Sequence, residues 1–308
     1  MLLRFLSLSL LLALGGQEPS SKRAPLKLLA GVWEWSATFS AAPDAEPLVL
    51  EGRQRAQLLF DGRWLATEII SVRAGITIEG RSVLGCPEDS SALVGLSIGS
   101  TSSALRLGAG RYDSATRTFV LRETRADVDG VKRGYRIETR VLESGLRKEV
   151  WRDPGTDEAR LVARVTYIRR PLESWVPLAP SKKDSYTHLA GWAGEWDCST
   201  AEKQLGVWRE RVICDGLWLE AQADWKEREW RGFLGYDRLT GKWNGVAFGR
   251  SGGLHVALGE WDEDKRTLKL DGDSGPLRIT LEEGGARRTL QAGKGAAQHR
   301  VVCVKRPL

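Results

Sequence analysis

Gly95-Leu96-Ser97-Ile98-Gly99 has the spacing of a hydrolase nucleophile elbow. That motif works when a sharp strand-to-helix turn lifts the serine hydroxyl out of a sheet. Here the residues after Gly99 read as strand, so a serine hydrolase at Ser97 is an alternative that lacks its helix. The chain has three histidines, His188, His255 and His299, and none falls in a His-Glu-x-x-His arrangement. Its four cysteines show no zinc-finger spacing, and no metal site is expected. A single strand histidine that faces a cavity can ligate haem, which makes His255 and His299 candidates; otherwise no cofactor is expected. Glu68 and Glu220 lie on corresponding strands. Facing inward they would bind a polar group or work as acid and base; facing outward they are solvated charges.

These side chains need elements to carry them, and the elements come twice. Phe60-Asp61-Gly62-Arg63-Trp64-Leu65 matches Cys214-Asp215-Gly216-Leu217-Trp218-Leu219, and Leu84-Gly85-Cys86 matches Leu234-Gly235-Tyr236. Gly110-Arg111-Tyr112-Asp113 matches Gly259-Glu260-Trp261-Asp262, and Leu29-Ala30-Gly31-Val32-Trp33 matches Trp192-Ala193-Gly194-Glu195-Trp196. The markers keep their order at a spacing of about 150 residues, which suits two whole domains rather than solenoid units. The copy lets one half test the other: Ala247 stands where Ser97 stands. The expected organisation is a signal peptide over 1–16, a first copy over 26–171, a Pro-rich linker over 172–187 and a second copy over 188–308.

Both copies read as short alternating strands rich in branched and aromatic residues, with no convincing helix. Asp61-Gly62 and Asp215-Gly216 predict two-residue hairpin turns. Asp113, Asp237 and Asp262 each follow an aromatic residue and should cap a turn through backbone amides. About ten strands per copy predict an all-β protein of two tandem antiparallel barrels.

The Arg4-led apolar run ending in Gly15-Gly16 reads as a secretory signal, so the protein is expected to be secreted or periplasmic. No cysteine follows the run to take a lipid, and no membrane span is expected after its removal. The net charge of +6 comes from interleaved charges, as over Glu123 to Arg140, which read as a solvated mixed surface and exclude a nucleic-acid partner. Every cysteine replaces an aromatic residue of the sister copy: Cys198 for Trp35, Cys214 for Phe60, Cys303 for Tyr167 and Cys86 for Tyr236. Small buried hydrophobes explain the pattern. Cys198 and Cys303 lie on the first and last strands, so closure of a barrel would also permit one bridge.

Asp61-Gly62-Arg63-Trp64-Leu65, Gly110-Arg111-Tyr112-Asp113 and Gly235-Tyr236-Asp237-Arg238-Leu239-Thr240-Gly241-Lys242 resemble the motifs of the bacterial domain-of-unknown-function family numbered 1579. The first copy departs from the pattern at Cys86-Pro87-Glu88-Asp89. The resemblance implies a lipocalin-like fold and no established activity. Gly31-x-Trp33 and Gly194-x-Trp196 also resemble the lipocalin first-strand signature, in which a basic side chain of the last strand crosses the indole. Arg164, Arg169 and Arg300 are the candidates for that barrel-closing cation. The fold reading also resembles bacterial ten-stranded barrels that bind haem through one histidine.

Eight of the 13 tryptophans lie at or after Trp192, so an aromatic cup is expected in the second copy. The expected function is non-enzymatic binding of a small apolar molecule in a barrel cavity. Its candidate residues are Trp64, Glu68, Trp218, Glu220, Trp243 and His255. Recognition of another protein or of an envelope polymer is the alternative.

Overall fold

The computed structural model describes residues 24–40, 46–87, 92–126, 131–152, 160–177, 189, 191–225, 228–238, 240–250, 252–273, 275–282, 284–293 and 299–307. The segment over 1–16 expected to be a signal peptide, His188 and most of the linker lie outside them. Each copy is a closed ten-stranded antiparallel barrel. The first contains β1 (Gly31–Phe39), β2 (Leu48–Leu59), β3 (Trp64–Arg73), β4 (Ile76–Gly85), β5 (Leu93–Gly99), β6 (Ser102–Asp113), β7 (Thr118–Ala126), β8 (Lys132–Val141), β9 (Leu146–Arg152) and β10 (Arg160–Arg170). The second contains β11 (Gly194–Ser199), β12 (Gln204–Ile213), β13 (Trp218–Trp225), β14 (Arg228–Asp237), β15 (Lys242–Gly249), β16 (Leu254–Asp262), β17 (Thr267–Gly272), β18 (Leu277–Leu281), β19 (Arg287–Ala292) and β20 (His299–Lys305). Neighbours in sequence pair all round, and β1–β10 and β11–β20 close the rings. Closure leaves no edge strand, so the ladder groups satisfy each other.

Alternation along a strand sends successive side chains to opposite faces. The face holding Trp33 is the inner one in the first barrel: Ala37, Ala56, Leu65, Leu93, Phe119, Leu146 and Val165 join it in one apolar cluster. The face holding Trp196 plays that part in the second, with Trp208, Leu219, Leu234, Leu268 and Leu290. One end of each barrel is plugged by the segment before its first strand. Leu26 and Leu29 fill the first plug, and Leu189 and Trp192 the second. The Trp33 indole donates to the Leu29 carbonyl at 3.0 Å, and Trp196 donates to Trp192 at 3.2 Å.

The Asp-Gly turns are wider than the sequence predicts. Leu59 pairs with Trp64 and Ile213 with Trp218, leaving four-residue connections. Phe60 and Asp61 both take positive φ, as do Cys214 and Asp215, so two residues ahead of the glycine bend the chain as well. Asp113 accepts from the Ala115 and Thr116 amides, and Asp262 from the Lys265 amide. Asp237 accepts from the Thr240 hydroxyl. Gly85 and Gly235 have a packing reason: a Cβ there would sit 2.1 Å and 2.4 Å from the Trp64 and Trp218 rings.

The linker begins with a single 3₁₀ turn over Leu172–Ser174, and Arg53 of β2 donates to the Ser174 carbonyl. Trp175 directly after it is buried.

Candidate functional site

The first barrel has a polar sector inside. Ladder partners share a face, so one row runs Thr67, Ser82, Ser97, Arg106 across β3 to β6. The next strands add Glu123 opposite Gly108, Tyr135 opposite Glu123, and Lys148 opposite Thr139. Arg125 follows Glu123 on the same face of β7. Apolar neighbours Leu121, Ile137 and Val150 lie on this face too, so the sector is amphipathic. Most of these side chains keep partial contact with solvent although they point inward.

Charges in this sector do not balance. Among the described strand residues Glu123 is the only inner carboxylate, against Arg106, Arg125 and Lys148, with Arg133 opposite Arg125 and Arg152 opposite Tyr135 on the same face. The Arg125 Nε lies 3.5 Å from Glu123 and forms no hydrogen bond. Its guanidinium sits 3.7 Å from the Tyr135 ring centre. Burial holds the Lys148 ammonium below the ordinary lysine value; Glu123 opposes this, while Arg125 and Arg106 reinforce it. Arg106 is lowered in the same way, by burial first and then by Arg125.

The second barrel uses the same positions differently. Counting along the ladders from Trp196, His255 takes the place of Arg106, Gly272 that of Glu123 and Leu290 that of Lys148. Ala221, Gly232 and Ala247 replace Thr67, Ser82 and Ser97. Trp208 stands for Gln54 and packs edge-on against Trp230 at 4.9 Å and Trp225 at 6.4 Å. Beneath this cluster lies a buried ion pair, Glu210 with Arg288. The Arg288 guanidinium is sandwiched 4.1 Å from Trp196 and 4.3 Å from Trp208. Burial pushes the Glu210 carboxyl up and the Arg288 guanidinium down, each opposed by the other's charge. Cys198 and Cys303 form a disulfide across β11–β20, where the first barrel has Trp35 facing Tyr167. The bridge that barrel closure permits is thus present.

The family model described as a protein of unknown function, DUF1579, matches residues 18–147. That segment belongs to the DUF1579 family. It spans β1 to β8 and the start of β9, taking in Arg106, Glu123 and Arg125 and ending one residue before Lys148. No curated protein matches. Among solved structures, a protein of unknown function of the DUF3598 family from Nostoc punctiforme is 11% identical, covering 93% of this chain and 99% of its own, with a TM-score of 0.27. Immune modulator A of Aeromonas veronii is 10% identical, covering 90% and 94%, with a TM-score of 0.21. Intact Ap-TbpB, with its N and C lobes, is 10% identical, covering 89% and 76%, with a TM-score of 0.19. Likenesses this distant carry no argument about function.

The sequence-predicted site residues scatter. In the DUF1579 barrel Trp64 and Glu68 lie on the outer face of β3, because Leu65 and Thr67 take the inner one. Glu68 is 3.7 Å from Arg81. Trp218 and Glu220 are outward on β13 for the same reason, and Glu220 bonds Arg211 at 2.6 Å. Trp243 does face inward, but at the plugged end, packed at a tilt against Tyr236 and buried. His255 faces inward at the opposite end and is exposed, so it is not enclosed by the cavity wall. These six do not converge on one site. Ser97 is mid-strand on β5, followed by a hairpin to β6 and not by a helix. No group of three metal-binding side chains exists among the described residues.

For the closing cation, Gly31 and Gly194 take positive φ beside Trp33 and Trp196. Arg169 lies 4.5 Å from the Trp33 ring centre. In the second barrel the ladder sets Lys305 opposite Trp196, with its ammonium at 5.4 Å, whereas Arg300 is opposite Gln291 and five residues short. Arg288, the nearer cation, comes from β19 and not from the last strand. Arg164 is outward and bonds Glu149. The inner cations of β6 to β9 were hidden because each sits in a stretch that reads as mixed surface charge. Counting ladder parity from Trp33 would have found them.

Proposed function

We propose that the protein binds a small ligand inside the DUF1579 barrel without converting it. The observation that carries this is the difference in filling. The second barrel's interior is closed by tryptophans, leucines and a disulfide, whereas the same positions in the first are polar and partly reachable by solvent. A barrel of this strand number holds either packed side chains or one small ligand. The apolar inner residues beside the polar sector favour a ligand with an apolar part. This reverses the sequence-based preference for the tryptophan-rich second copy, whose rings occupy the space they were expected to line. Nothing here indicates a catalytic activity. Export is part of the proposal: the N-terminal run and a disulfide, which persists in oxidising compartments, both favour it.

Native mass spectrometry of the chain from Gln17 onward, purified after export, tests the reading. An added mass that disappears on denaturation supports it. A bare mass, repeated after incubation with haem and a lipid mixture, counts against it.

Surface recognition of a protein or envelope polymer is a second reading, favoured by one feature. A hollow of about 400 Å³ lies on the outer face of β6 to β8, lined by Arg111, Val120, Arg122, Arg136 and Glu138. Arg136 there lies 5.6 Å from the Trp151 ring centre.

A further inference from the structure

The ligand's chemistry follows from the charge inside the first barrel, and the inference rests on the binding reading above. Burying a cation without a counter-charge is costly, and the cost grows when like charges share the site. Arg106, Arg125 and Lys148 share one inner sector with a single carboxylate, Glu123. Among the described residues neither the Arg106 nor the Lys148 side chain forms a hydrogen bond or an ion pair, and the Arg125 Nε has no hydrogen-bond partner. The fold does not need these charges. The second barrel closes with the same topology and register while carrying His255, Gly272 and Leu290 at three of the positions. A sector with positive charge in excess, ringed by Leu121, Ile137 and Val150, is completed by a negative head on an apolar body.

We infer that the first barrel takes an amphiphile with an anionic head, a carboxylate or a phosphate ester, its head set among Arg106, Arg125 and Lys148. The guanidinium forks suit planar or tetrahedral oxyanions, and the ammonium adds a point charge. Glu123 keeps Arg125 in place against Tyr135 and repels any second anion. The aliphatic part lies along the leucine, isoleucine and valine side chains of β7 to β9.

The test is calorimetric titration of the full exported chain with dodecanoate, dodecyl phosphate, dodecanol and dodecylammonium, the charged probes below their micellar concentrations and dodecanol below its solubility limit. At least one anion is expected to bind tenfold or more tightly than dodecanol, and dodecylammonium more weakly than dodecanol. The stronger anion identifies the head as carboxylate or phosphate. Lys148→Met and Arg106→Met should each weaken the anion tenfold or more and leave dodecanol unchanged. Dodecanol binding as tightly as both anions overturns the inference while leaving a ligand-binding barrel. Anion affinity unchanged in both variants overturns it equally. No binding of any of the four probes removes the inference and the ligand-binding reading together. Thermal unfolding of each variant shows that it folds, and removal of an uncompensated charge should raise, not lower, the ligand-free midpoint.

Discussion

The two barrels share a topology and differ in what they put inside it. At matched inner positions the first carries Gln54, Thr67, Ser82, Ser97, Arg106, Glu123 and Lys148, and the second Trp208, Ala221, Gly232, Ala247, His255, Gly272 and Leu290. Near the plug the relation inverts. The first has Ala56 and Leu146, and the second has the Glu210–Arg288 pair. A buried charge is therefore present in both, but it is matched in one barrel and in excess in the other. The matched pair is a structural part; the excess calls for a partner from outside.

Breaking the matched pair should have the largest effect. Arg288→Ala strands Glu210 among tryptophans and should cost about 3–5 kcal/mol, read as a lower urea midpoint. The double change Glu210→Ala with Arg288→Leu, which copies the first barrel's Ala56 and Leu146, should be near neutral. A double variant as unstable as the single one would show that the two plugs are not interchangeable. Next comes the seam: Cys198→Ala with Cys303→Ala opens a bridge spanning 105 residues and should cost about 2–4 kcal/mol in the same assay. Gly85→Ala and Gly235→Ala then test what the barrels share. Each added methyl meets an indole, so each should cost roughly 1–3 kcal/mol, and a large difference between them would break the equivalence of the two hairpins.

The smallest effect sharpens the comparison most. Lys148→Met should stabilise the ligand-free protein by roughly 1 kcal/mol, whereas Leu290→Lys at the sister position should destabilise it. The pH dependence has a definite sign. The folded Lys148 ammonium lies below the ordinary lysine value, so above that depressed value the unfolded chain binds more protons than the folded one. Stability from this group therefore rises with pH until the ordinary lysine value is passed, and Lys148→Met should flatten that rise. Unfolding midpoints across the neutral to alkaline range would show a slope unchanged by the substitution if Lys148 were solvated.

The architecture was legible because turns and alternation are local. The turns at Asp61-Gly62 and Asp215-Gly216 fall between β2 and β3 and between β12 and β13. The cysteine-for-aromatic pattern pointed to small buried hydrophobes, and it was the place of Cys198 and Cys303 on the first and last strands that left room for the bridge at the closing seam. The interior was less legible, because a period of two defines two faces without saying which is inner. Trp64 and Trp218 look like core residues by type, and both are buried, yet their neighbours Leu65 and Leu219 hold the inner face. Glu123 and Arg125 look like surface charges by type and point inward. Only the ladder, counted strand by strand from Trp33, separates the two cases.

The Cys198–Cys303 bridge also changes what a protease can do. Because the bond joins the first and last strands, the second barrel is a covalent ring. One cut in any of its hairpin turns opens the ring but releases no fragment, and non-reducing electrophoresis would show no change in mass beyond the cut itself. The first barrel has Trp35 against Tyr167 at that seam, so a single cut leaves its pieces held by packing and ladder bonds alone. In surroundings rich in proteases, the packed barrel is the durable half, and the half with the charged interior is the one that a bound ligand would have to protect.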